Sequence, residues 1–157
     1  MGPVPYLVMK VLHVFAAMMF LGSITISILW KAHGDRTRDP RIIAHTIQGI
    51  RLSDRWFTMP GVTILLIAGF GAQGMGKYPF TTIWILAGII LIALSGFVFM
   101  ARVSPVQRRL QQIAQAGISG EMEWSEYDRL SKQWNLWGMI ATGAPVLAFV
   151  LMIWKPV

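Results

Sequence analysis

The sequence predicts an all-α polytopic membrane protein, a bundle of four transmembrane helices with short amphipathic helices on the cytoplasmic side. Of its 157 residues, 55% are hydrophobic and only 13% are charged, which is too apolar for an ordinary soluble domain. Four apolar stretches are long enough to cross a hydrocarbon core of ~30 Å, which takes about 20 helical residues. None of them alternates polar and apolar residues as the strands of a membrane barrel do. We therefore expect a single transmembrane domain over residues 1–157.

The four predicted spans differ in how clearly they stand out. They are Tyr6–Trp30, Asp54–Gln73, Phe80–Arg102 and Leu136–Trp154. The third contains no charged residue over FTTIWILAGIILIALSGFVFMA, whereas glycines weaken the far end of the second. We do not expect the first span to be a cleaved signal peptide, because no basic segment precedes it and its apolar run is too long.

The connections between the spans carry their own helix signals. Isoleucines in RIIAHTIQGIRL (41–52) recur on one helical face, which predicts an amphipathic helix along the inner membrane surface. SPVQRRLQQIAQAG (104–117) begins with Ser-Pro and ends with Gly, as short helices do. A further helix is expected to begin near Ser125 and to continue into the fourth span, and HGDRTRDP (33–40) is expected to form a polar turn.

The start of the second span has a candidate capping residue. Ser53 or Asp54 is expected to accept a hydrogen bond from the first free backbone amides of that helix. Asp54 is also expected to form ion pairs, because Arg51 and Arg55 lie close to it in the sequence.

The positive charges are distributed unevenly along the chain. Of the 14 lysines and arginines, eleven lie in the two long connections, and only Lys10, Lys77 and Lys155 lie elsewhere. Because cytoplasmic loops are rich in basic residues, both long connections should be cytoplasmic and both termini periplasmic, in a multi-pass protein of the inner membrane. The net charge of +7 therefore indicates contact with the lipid bilayer. No arginine stripe with interleaved aromatic residues points to nucleic acid.

Lys10 and His13 are the unusual residues of the first span. Ionisable side chains inside a membrane are costly and tend to face the bundle interior. The two residues are three apart and so share a helix face, and the small Ala16 and Ala17 leave room beside the imidazole. The spacing alone favours a structural alternative, in which Lys10 reaches the headgroups and His13 bonds a carbonyl oxygen of a neighbouring helix.

Any metal bound at His13 would have few other protein ligands. The chain contains no cysteine, and His33 lies about 30 Å away along the first helix, at the other face of the membrane. Met9 is four residues from His13 and shares its face, so the candidate metal ligands are His13 and Met9. A thioether with an imidazole suits copper(I) or a haem, although packing is the commoner role of methionine.

Three segments resemble a known family. LVMKVLHVFAAMMFLGS in the first span, SDRWFTMPGVTILLIAGF in the second and WNLWGMIATGAPVLAFVLMIWKP in the fourth are similar to the integral membrane proteins of the domain of unknown function 2269. The resemblance covers the whole chain, and its most specific parts are the Asp-x-x-x-Thr-x-Pro motif and the final Lys-Pro. The family has no established activity.

The Lys-x-x-His pattern of the first span is also similar, more distantly, to HemJ-type protoporphyrinogen oxidases and CopD-type copper-resistance proteins. By this resemblance His13 would be an axial ligand of a b-type haem. Lys10 lies one turn further out, so its ammonium group would pair with a propionate of that haem near the water. Ala17 would leave space for the ring, and Phe20 and Trp84 would help to wall it. The third span lacks the polar residues of the HemJ type, so the resemblance implies the haem pocket rather than the oxidase reaction.

The sequence leaves two classes of function open. One is a cofactor-binding membrane protein with a redox role or a role related to haem or copper, with b-type haem preferred to copper. The other is a non-catalytic assembly factor or a small subunit of a larger complex, so a homo-oligomer or other membrane subunits are expected partners. A transporter is disfavoured because no acidic residue lies inside a span. Whether the protein is an enzyme stays undecided.

Overall fold

The computed structural model describes residues 3–155 and is helical almost throughout. Its elements are α1 (Pro3–Thr37), α2 (Pro40–Ser53), a π-helical turn (Asp54–Thr58), α3 (Met59–Gly76), α4 (Ile83–Val98), a second π-helical turn (Phe99–Val103), α5 (Ser104–Ser119) and α6 (Trp124–Trp154). No strand occurs in this part of the chain. The all-α prediction is confirmed.

Four long helices account for nearly the whole chain, because each π-helical turn joins two α-helices without a break. The long helices are Val4–Thr37, Pro40–Gly76, Ile83–Ser119 and Trp124–Trp154, and each is long and apolar enough to cross a membrane. The four-span prediction is confirmed. The predicted amphipathic helices are present as α2 and α5, but each is continuous with a span, so the breaks predicted between them are wrong. Helical hydrogen bonding continues past each span because the polar segments beyond it pack on one another.

The predicted polar turn over residues 33–40 is shorter than expected. Helix α1 continues to Thr37, and the chain reverses at Arg38, whose φ of 52° is left-handed. Asp39 then caps α2, since its carboxylate accepts a hydrogen bond of 2.8 Å from the amide of Arg41. A two-pronged hydrogen bond to Asp128 holds Arg38 on α6 and raises the pKa of its guanidinium. The reversal is therefore fixed by side-chain contacts rather than by a long loop.

Helices α2 and α5, with the end of α1 and the start of α6, form what we call the basic layer. Its core contains Ile43, Ile47, Leu110, Tyr127 and Trp134, all buried. The apolar face of α2 therefore packs on protein, and the prediction that it lies along the lipid surface is wrong. The physical reason is that α5 presents a matching apolar face, so the two amphipathic helices bury each other.

A lysine is buried inside the basic layer. Lys31 on α1 is 2% exposed, and its ammonium group donates to Asp35 at 2.5 Å and to Ser131 on α6 at 2.9 Å. The rings of Tyr127 and Trp134 flank it, with centroids 5.2 and 5.5 Å from Nζ. These contacts join α1 to α6 through a paired charge. In the sequence Lys31 was only one of many basic residues of a predicted cytoplasmic loop.

The apolar half of the bundle consists of two helix pairs. Helix α1 packs on α3 and α4 packs on α6, whereas no Cα atom of α3 comes within 8 Å of one in α4 in the described residues. The second pair is joined by the Ser95 hydroxyl, which donates to the carbonyl oxygen of Ala141 at 2.6 Å. The separation between the pairs leaves two cavities that side chains from both pairs line.

Two glycines of the basic layer allow a matched test of how closely α1 and α2 pack. A methyl group at Gly34 would lie 2.8 Å from Thr46 Oγ1, whereas one at Gly49 would meet nothing within 4 Å. Gly34→Ala should therefore lower the free energy of unfolding by about 1–3 kcal/mol through overpacking. Gly49→Ala should raise it slightly, because alanine is the better helix former. Titration of both variants with a denaturing detergent checks this, and equal effects would contradict the close packing.

Candidate cofactor site

The larger cavity lies between the two helix pairs, at the end of the bundle where α1 begins and α6 ends. Its volume is about 410 Å³, which falls in the range of roughly 300–1,000 Å³ typical of small-molecule sites. The side chains that line it come from α1, α3, α4 and α6, and most of them are apolar. We call it the histidine cavity. Its position lets a ligand touch all four long helices at once.

The structure brings the five predicted cofactor-binding residues together. His13, Lys10, Ala17, Phe20 and Trp84 all line the histidine cavity. Four of them lie on successive turns of α1, so their common face follows from helix periodicity. Trp84 reaches the same space from the first turn of α4, which only the tertiary fold could place there.

His13 is held in one orientation by a hydrogen bond to the neighbouring helix. Its Nδ1 lies 2.7 Å from the carbonyl oxygen of Leu65 on α3, and since a carbonyl only accepts, Nδ1 carries the proton. In the neutral ring the lone pair is then on Nε2, which has no hydrogen-bond partner among residues 3–155. A fixed tautomer with a free Nε2 is the arrangement that metal-ligating histidines have. The same hydrogen bond is equally consistent with the structural alternative, in which His13 only joins α1 to α3.

Gly69 makes this hydrogen bond possible. A methyl group at Gly69 would lie 2.9 Å from both Cε1 and Nδ1 of His13, closer than real contacts allow. The imidazole therefore lies directly against the bare backbone of α3, one turn beyond Leu65. Gly69 lines the cavity as well, so it is both a spacer for His13 and part of the wall.

The methionines divide between the cavity and the helix contacts. Met9, the predicted second metal ligand, lies against Gly71 on α3, where a Cβ atom would be 3.1 Å from its sulfur, and it is not among the residues that line the cavity. Met152 on α6 does line it, opposite α1. Within residues 3–155 no three His, Asp or Glu side chains come together as a protein metal site would require. A metal at His13 would therefore need most of its ligands from a prosthetic group.

Two cations lie at the end of the cavity where α1 begins. Lys10 is exposed, and Lys155, which ends α6 with a left-handed φ of 50°, is exposed as well. The ammonium group of Lys155 lies 5.4 Å from the centroid of the Trp84 ring. The cavity thus has an apolar interior and a positively charged mouth, a distribution that suits an amphiphilic anion.

Asp54 lies in a second, smaller cavity nearer the basic layer, and its predicted roles are wrong. Neither Ser53 nor Asp54 caps a helix, because the helical chain continues through both. The carboxylate accepts hydrogen bonds of 3.1 Å each from Gln107 and Thr58, and no ion pair joins it to Arg51 or Arg55 in the described structure. Asp54 packs against α5 and bonds Gln107 there instead of pairing with Arg51 or Arg55.

The comparison with known proteins agrees with the fold. Residues 7–156 match a family described as predicted integral membrane protein, DUF2269. The chain belongs to the DUF2269 family. No curated protein and no solved structure matches this DUF2269 protein.

Three features of the histidine cavity were not predicted from the sequence. The Leu65 carbonyl oxygen carries no sequence signal, because a backbone acceptor can belong to any residue. Gly69 is one of the glycines that weaken the far end of the predicted second span, and its place opposite His13 depends on how α1 and α3 align. Lys155 was counted only as a charge. It follows Trp154 at the end of the fourth span, so, like Lys10, it is a cation near the end of a span.

Proposed function

We propose that this protein binds a b-type haem in the histidine cavity, with Nε2 of His13 as an axial ligand. The observation that carries the proposal is the hydrogen bond from His13 Nδ1 to the Leu65 carbonyl oxygen, which leaves Nε2 free to bind iron. A porphyrin brings four nitrogen ligands of its own. A single protein imidazole is therefore sufficient, which agrees with the lack of other histidines on this cavity.

The other lining residues fit a haem by their chemistry. Phe20 and Trp84 offer aromatic walls, and Ala17 and Gly69 leave the space free that larger side chains would occupy. The two ammonium groups at the mouth, Lys10 and Lys155, would hold the two propionates next to water. Bound there, a haem would supply one-electron chemistry to the membrane.

Met152 would be the second side chain to hold the iron. It lines the cavity from α6, whereas His13 lines it from the opposite helix pair. A His/Met haem has a raised reduction potential, which suits electron transfer. This function rests on haem binding and would extend it to a redox role.

Absorption spectroscopy tests the proposal directly. The full chain, purified in mild detergent from cells supplied with a haem precursor, should show a Soret band and close to one haem per protein. The same sample should be analysed for copper, since copper is the competing cofactor. A colourless protein that takes up neither haem nor copper in titration would overturn the proposal and favour the non-catalytic alternative.

We further propose that the protein lies in the inner membrane with the basic layer in the cytoplasm and both termini in the periplasm. The support is the eleven basic residues of the two long connections. Reporter fusions after Lys77 and at the C-terminus should then report the periplasm, and one after Gly120, between α5 and α6, the cytoplasm. A cytoplasmic C-terminus would contradict this orientation.

A further inference from the structure

The smaller cavity has an unusual position in the fold. Its volume is about 240 Å³, and residues of both π-helical turns line it: Asp54 and Thr58 from the first, and Phe99, Met100 and Val103 from the second. Such turns are rare and are frequently found at functional sites. We call this space the aspartate cavity. Asp54 and Ser27 have no role in the haem proposal, whereas Phe20, a proposed wall of the haem site, and Ile92 border both cavities.

One polar side chain that lines the aspartate cavity lacks a partner. Ser27 is 6% exposed, and its Oγ atom is the one buried side-chain oxygen or nitrogen in residues 3–155 without a hydrogen bond. A buried hydroxyl group without a partner is costly, so such groups almost always have a hydrogen-bond partner, often water. Asp54 lines the same cavity and keeps lone pairs beyond the two that it uses. Both groups can therefore bind water there.

A chain of hydroxyl groups leads to Asp54 from the surface of the basic layer. Thr58 donates to Asp54 at 3.1 Å, so its single proton is used, and Ser23 must donate to Thr58 at 3.0 Å. The single proton of Ser23 is then used as well, so Ser53 must be the donor in its hydrogen bond of 2.9 Å to Ser23. Ser53 is partly exposed, whereas Ser23 and Thr58 are buried. All three protons thus point toward the carboxylate.

We propose that the aspartate cavity binds water between Ser27 and Asp54, and that the hydroxyl chain delivers protons to this site. In each step one proton passes from a donor oxygen to the next acceptor, and Ser53 regains its proton from water at the surface. The cavity has room for several molecules, since a water occupies about 30 Å³ in the liquid. Arg51 on α2 is the charged side chain whose field acts on Asp54. The two groups that bond the carboxylate, Thr58 and Gln107, are uncharged, and so are their own partners, Ser23 on α1 and Trp134 on α6.

Radiolytic labelling tests for the water. X-rays turn bound water into hydroxyl radicals that oxidise adjacent side chains, so the buried Trp134, which lines the cavity, should be oxidised in the wild type. Gly138→Leu should lower this oxidation several-fold, because Gly138 lines the cavity and a Cβ atom there meets nothing within 4 Å. The control is Gly143→Leu on the same helix, which is equally unhindered, lies outside both cavities and should leave the oxidation unchanged.

Ser27→Ala gives an independent readout of hydration. In a hydrated cavity the variant loses a hydrogen bond to water, so its unfolding midpoint in detergent should fall. In a dry cavity it would remove an unpaired hydroxyl group, and the midpoint would rise. A rise, or unchanged Trp134 oxidation in Gly138→Leu, would overturn the water site.

Stopped-flow infrared spectroscopy tests the proton route. After a drop in pH, the carboxylate band that disappears in Asp54→Asn should lose intensity in the wild type as Asp54 takes up a proton. Thr58→Val keeps the side-chain shape but breaks the hydroxyl chain, so this rate should fall several-fold. Thr63→Val is the control, because the exposed Thr63 hydroxyl donates only to Met59 in its own helix. An unchanged rate in Thr58→Val would overturn the route, and none of these measurements depends on haem.

Discussion

His13→Ala is expected to lower the haem content per protein by at least roughly tenfold. Removing only the hydrogen-bond partner of a metal ligand already lowers metal affinity about 10–100-fold. The variant removes Nε2 and, with it, the axial bond to iron. Haem content is measured as the pyridine complex after purification in parallel with the wild type. His45→Ala is the matched control, because His45 is exposed on α2 in the basic layer, away from the cavity. Full haem content in His13→Ala would return His13 to a structural role.

Variants around His13 separate ligation from packing. Gly69→Ala would place a methyl group 2.9 Å from the imidazole, so the ring must move and haem affinity should fall roughly 10–100-fold. Gly74→Ala on the same helix meets nothing within 4 Å and should bind haem normally. Lys10→Ala should show a milder loss, because Lys155 remains at the mouth of the cavity. Equal losses in both glycine variants would point to a general effect on α3.

Lys31→Met should have the largest effect on stability, lowering the free energy of unfolding by about 3–5 kcal/mol, because it leaves a partly buried carboxylate without its cation. Asp35, 25% exposed, would then keep only the hydrogen bonds from Tyr127 and Ser131. Detergent unfolding followed by circular dichroism measures the change. Lys132→Met is the control, since Lys132 is exposed on α6, and its effect should stay within about 0.5 kcal/mol.

The double variant Lys31→Met with Asp35→Asn distinguishes charge from packing. Replacing both partners of a buried pair is far less harmful than removing one, so the double variant should be more stable than Lys31→Met alone. If the two were equally unstable, the lost contacts of the lysine with the Tyr127 and Trp134 rings would account for the effect.

The sequence by itself determined the class of the protein and the number of its spans. Long apolar runs can satisfy their backbone hydrogen bonds in lipid only as helices, so four runs became four helices. Helix periodicity also determined that Lys10, His13, Ala17 and Phe20 share a face, because that relation is local. The ends of the spans were less predictable, since α2 and α5 continue the helices wherever their polar residues pack on each other.

Only the tertiary structure decided what these faces meet. The Leu65 carbonyl, Gly69 and Trp84 reach His13 or its cavity because of how α3 and α4 are placed around α1, and no local pattern encodes that alignment. Asp54 likewise lost its expected arginine partners to Gln107, which is 53 residues away. Lys31 is one of many basic residues of a predicted loop in the sequence. In the structure it is buried and paired with Asp35, because the start of α6 packs over it. Contacts between distant segments depend on the packing of whole helices, whereas spans and faces depend only on neighbours along the chain.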